Sequence, residues 1–369
     1  MKILYVTTIG MTMGFFKSFI RCLLDEGHTV EIATNEENSS VPVCYREWGC
    51  KIHQISCTRS PLNKNTAVAI KQIKKIVTEN HFDIVHCHTP VAAMCTRLAC
   101  RKVRKQGTRV FYTAHGFHFY KGAPLKNWLI YYPVEKVCAH FTDVLITINQ
   151  EDYALAQKKM RAKRVEYVPG VGINIDKYAN VEVDRQAKRR DLGIPETSTL
   201  LLSVGELNDN KNHQVIIRAM ASLEDSNIHY ILAGKGDSLE TLKRLSNECG
   251  LSNQVHFLGY REDVRELCAV SDIFCFPSRR EGLGLAAIEA MACGLPLLTS
   301  NLHGINDYSV NGETGYKYSP DDVDGFSQGI RACMTQSEWL ERVSRNNIEV
   351  ARRYDLSRVN NIMFSIYKK

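Results

Sequence analysis

Two carboxylates, Glu281 and Glu289, stand where polar chemistry is densest in the chain, in the segment Phe276-Pro277-Ser278-Arg279-Arg280-Glu281-Gly282-Leu283-Gly284-Leu285-Ala286-Ala287-Ile288-Glu289. The apolar run ending at Phe276 predicts a strand. A loop follows, then a helix from near Gly284 to Cys293 with Gly294 as its stop. That order suits a diphosphate. Gly282 and Gly284, on either side of Leu283, let the backbone come close to a ligand. The free N–H groups of a helix start favour an anion, and Arg279 or Arg280 can add charge-assisted bonds. Glu281 in the loop is placed for sugar hydroxyls. Glu289 within the helix can accept from both hydroxyls of a ribose at once. A purely structural role competes, because a glutamate near a helix start also favours the helix. Glu289 fits that role less well. Leu285, Ile288, Met291 and Ala292 put it near a buried face, where a carboxylate without a partner is costly.

Two other clusters bear on chemistry. Gly10-Met11-Thr12-Met13-Gly14 joins the first strand to the first helix, and Gly14 is a candidate border to the phosphates or to an acceptor. A turn that simply needs glycine explains the segment equally well. It is not a GxGxxG fingerprint, which counts against a dinucleotide enzyme. His86 and His88 alternate on a strand and so share a face, with His115 and His118 further along. No acid or thiol spacing completes a familiar metal site, and no metal is expected.

The elements that must position these residues are legible as alternation. Ile3–Val6, Val30–Thr34, Ile84–Cys87, Val110–Thr113, Val144–Thr147 and Val165–Val168 read as strands, with amphipathic helices between them. Phe15, Phe16, Phe19, Ile20, Leu23 and Leu24 are expected to bury one helix face, stopped by Gly27. Pro169-Gly170-Val171-Gly172 is the strongest punctuation and a candidate hinge. The alternation then restarts with Leu200–Val204, Tyr230–Ala233, Val255–Leu258, Ile273–Phe276 and Leu295–Thr299. Helical patterns from about Ser337 to Arg353 and from Leu356 to Tyr367 follow. Short apolar strands alternating with helices imply parallel sheets covered on both faces. The expectation is an α/β protein of two doubly wound domains in tandem, separated by a cleft. Ligands bind beyond the carboxyl ends of the strands in such sheets.

The bulk numbers agree with a two-domain globular protein of 369 residues. No apolar run reaches the roughly 20 residues that span a bilayer, and the N-terminus reads as a strand rather than a leader, so a cytoplasmic location is expected. The thirteen cysteines are odd in number and lack a CxxC pair, which predicts reduced thiols. The charge of +7 divides unevenly, as +9 over residues 1–184 and −2 over the rest. Residues 51–126 hold 14 basic side chains and only Glu79 and Asp83 as acids. A solvated helix surface accounts for such a bias as readily as an anionic partner does. The anionic candidates are a phosphorylated acceptor, a nucleic acid and the inner face of an anionic membrane. Trp128, Tyr131 and Tyr132 are placed to help at a membrane. No nucleic-acid-binding motif is present, and no such partner is expected.

The Glu281-to-Glu289 segment resembles the Glu-x7-Glu signature of the family-4 retaining glycosyltransferases. Val204-Gly205, Lys211, Phe257-Leu258-Gly259, Ser271-Asp272, Pro277-Ser278, Gly294–Pro296 and Asn311-Gly312 with Thr314-Gly315 fall in the order of that family. Ala114-His115-Gly116-Phe117-His118-Phe119-Tyr120 is similar to the matching segment of bacterial polysaccharide-assembly members. The resemblance implies the GT-B fold of two Rossmann-like domains. Residues 1–172 would be the acceptor side, joined by a returning helix at about 355–369, and 173–354 the donor side. It further implies transfer of a sugar from a nucleoside diphosphate, with UDP favoured, to a glycan or lipid-diphosphate-linked hydroxyl, with retained configuration and no cofactor. Glu281 would hold the donor sugar, Glu289 the ribose and Lys211 the diphosphate, and His115 would face the reacting sugar. One departure stands out. Glu206 occupies the place after Val204-Gly205 where the family carries a phosphate-binding arginine. The charge then falls to Lys211, Arg279 or Arg280, the helix start and Lys235, unless Glu206 serves to hold Lys211. A GT-B sugar-nucleotide epimerase and a non-catalytic basic binding module are the alternatives.

Overall fold

The computed structural model describes residues 1–369 apart from 38, 59, 61–63 and 180. Arg59, one of the basic residues of the 51–126 stretch, therefore lies outside the described residues. The chain divides into two compact units, Met1–Val171 with Leu356–Lys369, and Gly172–Asp355.

The first unit is built on seven strands: β1 (Lys2–Ile9), β2 (Thr29–Asn35), β3 (Lys51–Gln54), β4 (Ile84–His88), β5 (Arg109–Ala114), β6 (Val144–Thr147) and β7 (Arg164–Tyr167). They lie in the order β3-β2-β1-β4-β5-β6-β7, with every pair parallel. Leu4 and Val6 of β1 enter one core cluster, and Ile3 and Tyr5 enter another. Alternation thus fills both faces of the sheet, as a parallel sheet with helices on each side requires.

The second unit repeats the design with six strands: β8 (Thr199–Val204), β9 (Ile228–Ala233), β10 (Val255–Gly259), β11 (Ile273–Phe276), β12 (Leu297–Ser300) and β13 (Gly315–Tyr318). Their order is β10-β9-β8-β11-β12-β13, again all parallel. Two doubly wound, Rossmann-like sheets are thus present.

Several local expectations are corrected. β3 and β13 are edge strands that the apolar pattern does not reveal. β12 starts at Leu297 rather than Leu295, because Pro296 has no N–H to give a ladder. Phe15 belongs to a 3-10 turn, Gly10–Phe16, and is 58% exposed; the buried face of the following helix is Phe19, Ile20 and Leu23. In the Leu125–Ala139 helix, Trp128, Tyr131 and Tyr132 pack inward against the core, so they do not form the exposed aromatic surface expected of them. Beside them Glu135 pairs with the buried guanidinium of Arg97 at 2.8 Å. All thirteen cysteines are free.

The last helix, Leu356–Lys368, returns to the first unit and is held there by polar contacts as well as packing. The Tyr367 hydroxyl meets the Tyr5 hydroxyl at 3.0 Å and His86 Nδ1 at 2.5 Å, all buried. Arg109 donates to the Tyr367 carbonyl at 2.8 Å. Tyr367→Phe keeps the ring and leaves the two buried partners short of a bond. It should lower the stability of the first unit by about 1–3 kcal/mol. Urea melts of the two proteins test this, and coincident midpoints would contradict it.

Candidate functional site

Each sheet reverses its strand order at one place, between β1 and β4 and between β8 and β11. Loops that leave the carboxyl ends of the strands beside such a reversal frame a crevice. In the second unit those loops are 205–213, after β8, and 277–284, after β11.

The two loops are stitched together. The Arg279 N–H donates to the Asn210 carbonyl at 2.7 Å, and Asn210 Nδ2 donates to the Arg280 carbonyl at 3.0 Å. Asn212 donates to the Pro277 carbonyl at 3.2 Å and to the Pro320 carbonyl at 2.7 Å. Lys211 reaches across and pairs with Glu281, both side chains being mostly buried. The Lys211 ammonium also lies 4.7 Å from the centre of the Phe276 ring. Glu206 is exposed and takes no part in this pair, so Lys211 is held by Glu281 and not by Glu206.

The loop after β9 lies directly on the loop after β8. A Cβ on Gly234 would meet the Gly205 carbonyl oxygen at 1.7 Å, so only glycine allows the contact. The Leu207 N–H donates to the Lys235 carbonyl at 3.0 Å. Lys235 is carried here exposed, with no ion pair among the described residues. The two arginines differ. Arg279 is engaged by Asp321 at 2.5 Å and Asn212 at 3.1 Å, whereas Arg280 forms no ion pair among the described residues.

The helix Leu285–Ala292 starts at Gly284, whose φ of +88° favours glycine and whose Cβ would strike the Phe276 ring at 2.5 Å. The Ala287 N–H donates to the Gly284 carbonyl at 3.1 Å, which leaves the amides of Leu285 and Ala286, ahead of any intrahelical acceptor, at the end of the loop. Leu283 is buried, so only its backbone remains for a ligand, and Gly282 packs against Gly304. Glu289 lies one turn into the helix. Burial raises its carboxyl above the usual range, and a hydrogen bond from Tyr178 partly opposes the rise. Tyr178 was not legible as its partner, since nothing in the sequence links two residues so far apart. Tyr308, fully buried close to Gly284, has a hydroxyl with no hydrogen-bond partner among the described residues.

In the first unit the loop after β1 carries Gly10–Phe16, while His115 stands one strand beyond the reversal. Gly10 is required, because a Cβ there would strike the Ser39 carbonyl at 2.2 Å; Gly14 is exposed with open space around it. His115 follows β5 and meets His88 of β4, Nε2 to Nδ1, at 3.2 Å. His86 lies beside His88, their ring centres 4.2 Å apart, and bonds Thr113 at 2.8 Å. Burial lowers all three: His86 to about 3, His115 to about 4 and His88 well below the ordinary value. They are neutral imidazoles at physiological pH. His118 instead stacks on Tyr131 at 4.4 Å. Among the described residues no group of three or more His, Cys, Asp or Glu is arranged to hold a metal ion.

Comparison with known proteins covers nearly the whole chain. Residues 184–350 match the family described as glycosyl transferases group 1, and residues 15–176 match glycosyltransferase family 4. EpsD of Bacillus subtilis (strain 168) is 34% identical over 99% of this chain and 96% of its own. The UDP-Gal:alpha-D-GlcNAc-diphosphoundecaprenol alpha-1,3-galactosyltransferase of Escherichia coli is 27% identical over 74% of this chain and 71% of its own. Among solved structures, Anabaena Alr3699/HepE in complex with UDP-glucose superposes with a TM-score of 0.82 at 20% identity, covering 100% of both chains. That likeness speaks to the fold.

The raised carboxyl of Glu289 has a consequence for stability. A buried carboxyl with a raised folded pKa holds its proton longer than the unfolded chain does. Stability is therefore lost as pH climbs from the ordinary value of 4.5 through the raised one. Glu289→Gln should melt higher than the unchanged protein at pH 7 without ligand, and the gap should close toward pH 4. Melting curves across that range decide it; a gap that is constant with pH would refute the burial argument.

Proposed function

The chain belongs to the family-4 glycosyltransferases of GT-B fold, and from that premise we propose that it moves a sugar from UDP to a hydroxyl of a glycan or lipid-diphosphate-linked acceptor, with retained configuration, in surface-polysaccharide assembly. The observation that carries this reading is the convergence of Lys211, Glu281 and the Leu285–Ala292 helix start beside one strand reversal. UDP is favoured because the Escherichia coli relative is named for UDP-Gal and the Anabaena structure holds UDP-glucose.

In this reading Glu289 accepts from the two ribose hydroxyls. The donor supplies hydrogen bonds to a half-buried carboxylate that otherwise has Tyr178. The diphosphate lies against the helix-start amides, with Lys211, Lys235 and Arg280 as its cations. As the sugar leaves, negative charge grows on the diphosphate, and fixed cations and amides stabilise it by roughly several kcal/mol. Glu281 holds sugar hydroxyls and, through its ion pair, sets where the Lys211 ammonium sits. It is not assigned as a nucleophile. His115 is neutral, and its Nε2 is turned to His88, which leaves Nδ1 for the reacting sugar or the acceptor. No cofactor or metal enters these steps. The acceptor's lipid carrier would bring the protein to the anionic inner face of a membrane.

Three measurements test the assignment. UDP at a hundred times its dissociation constant should stabilise the protein by about 2.7 kcal/mol. Glu289→Ala should weaken UDP binding roughly 10–100-fold, the worth of hydrogen bonds to a charged group. Unchanged UDP affinity in that variant would remove Glu289 from the site. Lys211→Ala should reduce turnover by roughly 100-fold or more and weaken UDP binding as well, since UDP carries the charge that Lys211 meets. Full turnover in that variant would move the catalytic charge elsewhere.

A further inference from the structure

The Leu125–Ala139 helix is apolar on both sides. Its inner half is accounted for by Trp128, Tyr131, Tyr132 and the Glu135–Arg97 pair, all packed into the first unit. At about 100° per residue the positions 125, 129, 130, 133, 134 and 137 fall on the opposite half. They are Leu125, Leu129, Ile130, Pro133, Val134 and Val137. Leu125 is 73% exposed, Leu129 69%, Val137 57% and Ile130 56%. Of the twelve exposed large hydrophobics among the described residues, five stand on this one helix. Single exposed apolar side chains are ordinary on a protein surface, but a contiguous stripe is not.

Cations bracket the stripe. Lys121 and Lys126 are exposed at its start, and Lys136 is exposed on the same half of the helix. At its end Arg101, Lys102 and Lys105 surround His140 and Phe141, with Arg101 5.5 Å from the Phe141 ring. The nearby acids are engaged. Asp143 takes two bonds from Arg104 at 2.8 Å, Glu135 is buried, and Glu151 accepts the Lys121 N–H at 2.6 Å.

We propose that this outer helix face docks the protein on an anionic lipid bilayer, the aliphatic stripe entering the headgroup boundary and the flanking lysines and arginines meeting acidic headgroups. An amphipathic helix lying in the interface binds through both terms together, apolar area and attraction to anionic lipid. The charge complementarity selects the occupant: a water-facing stripe ringed by cations fits an acidic surface and repels a second copy of the same face. The surface gives the lipid-linked-acceptor reading its membrane contact and rests on that reading for its purpose.

The test is co-sedimentation of the full chain with vesicles of phosphatidylcholine alone and with about 30% phosphatidylglycerol, at low and high salt. Binding should need the anionic lipid and weaken with salt. Leu129→Glu with Ile130→Glu should reduce vesicle partition at least tenfold, and Lys121→Ala with Lys126→Ala and Lys136→Ala should remove most of the salt-sensitive part. UDP-induced stabilisation should be unchanged in both variants, which shows that they fold. Equal vesicle binding by the Leu129/Ile130 variant, or none by the unchanged protein, overturns the proposal. A dimer in size-exclusion chromatography that the same variant abolishes also overturns it, by giving the face to a second copy. If UDP fails to stabilise even the unchanged protein, the sugar-transfer reading falls while the vesicle result is still read on its own.

Discussion

Every ladder in both sheets is parallel, and a parallel ladder cannot be closed by a tight turn, so the chain must leave each strand at one edge, cross a face as a helix and re-enter at the opposite edge. All loops that follow strands are thereby delivered to the same edge of their sheet. Where the strand order reverses, two such loops part and leave room between them. Along strands buried on both faces a charge without a partner is costly, and the charged groups of the site stand in these loops. The placement of Lys211, Lys235, Arg280 and Glu281 follows from this topology more than from any local preference.

Electrostatics on that edge is arranged by sharing rather than by isolated charges. Lys211 has Glu281 and the Phe276 ring, and Arg279 has Asp321 and Asn212. These pairs hold the loops after β8, β11 and β13 in a fixed relation, since each bond joins residues some forty to seventy positions apart. The cations outside such pairs, Lys235 and Arg280, are the more available to an incoming anion. In the proposed site, basic groups from neighbouring loops would serve where Glu206 stands in place of an arginine.

Much of this was legible in the sequence, for identifiable reasons. Continuous apolar runs such as Leu200–Val204 announce buried parallel strands, and the glycines at 284 and 294 mark the two ends of the helix that carries Glu289. Two of the four edge strands, β3 and β13, were not legible. Lys51-Ile52-His53-Gln54 has one aliphatic residue, because only one side of an edge strand pairs and its faces are partly open. The Leu125–Ala139 helix misled for the opposite reason. With apolar residues all round, its periodicity does not say which half is inside, and aromatic character pointed to the wrong half. Tertiary partners were invisible as well: Tyr178 for Glu289, His88 for His115, and Glu281 for Lys211 across the cleft between two loops.

The return of residues 356–368 to the first unit has a consequence for the order in which the protein is made. Synthesis is vectorial, and the whole second unit is translated before this helix exists. At about 5–20 residues per second that interval lasts roughly 10–40 s. Throughout it, Tyr5, Phe19 and Phe111 lack the cover of Tyr367, and the first sheet presents an uncapped apolar face on the ribosome. The second unit, contiguous in sequence, can fold without waiting. The half of the protein that is translated first is therefore the last to be completed, and its nascent form is the natural client for a chaperone.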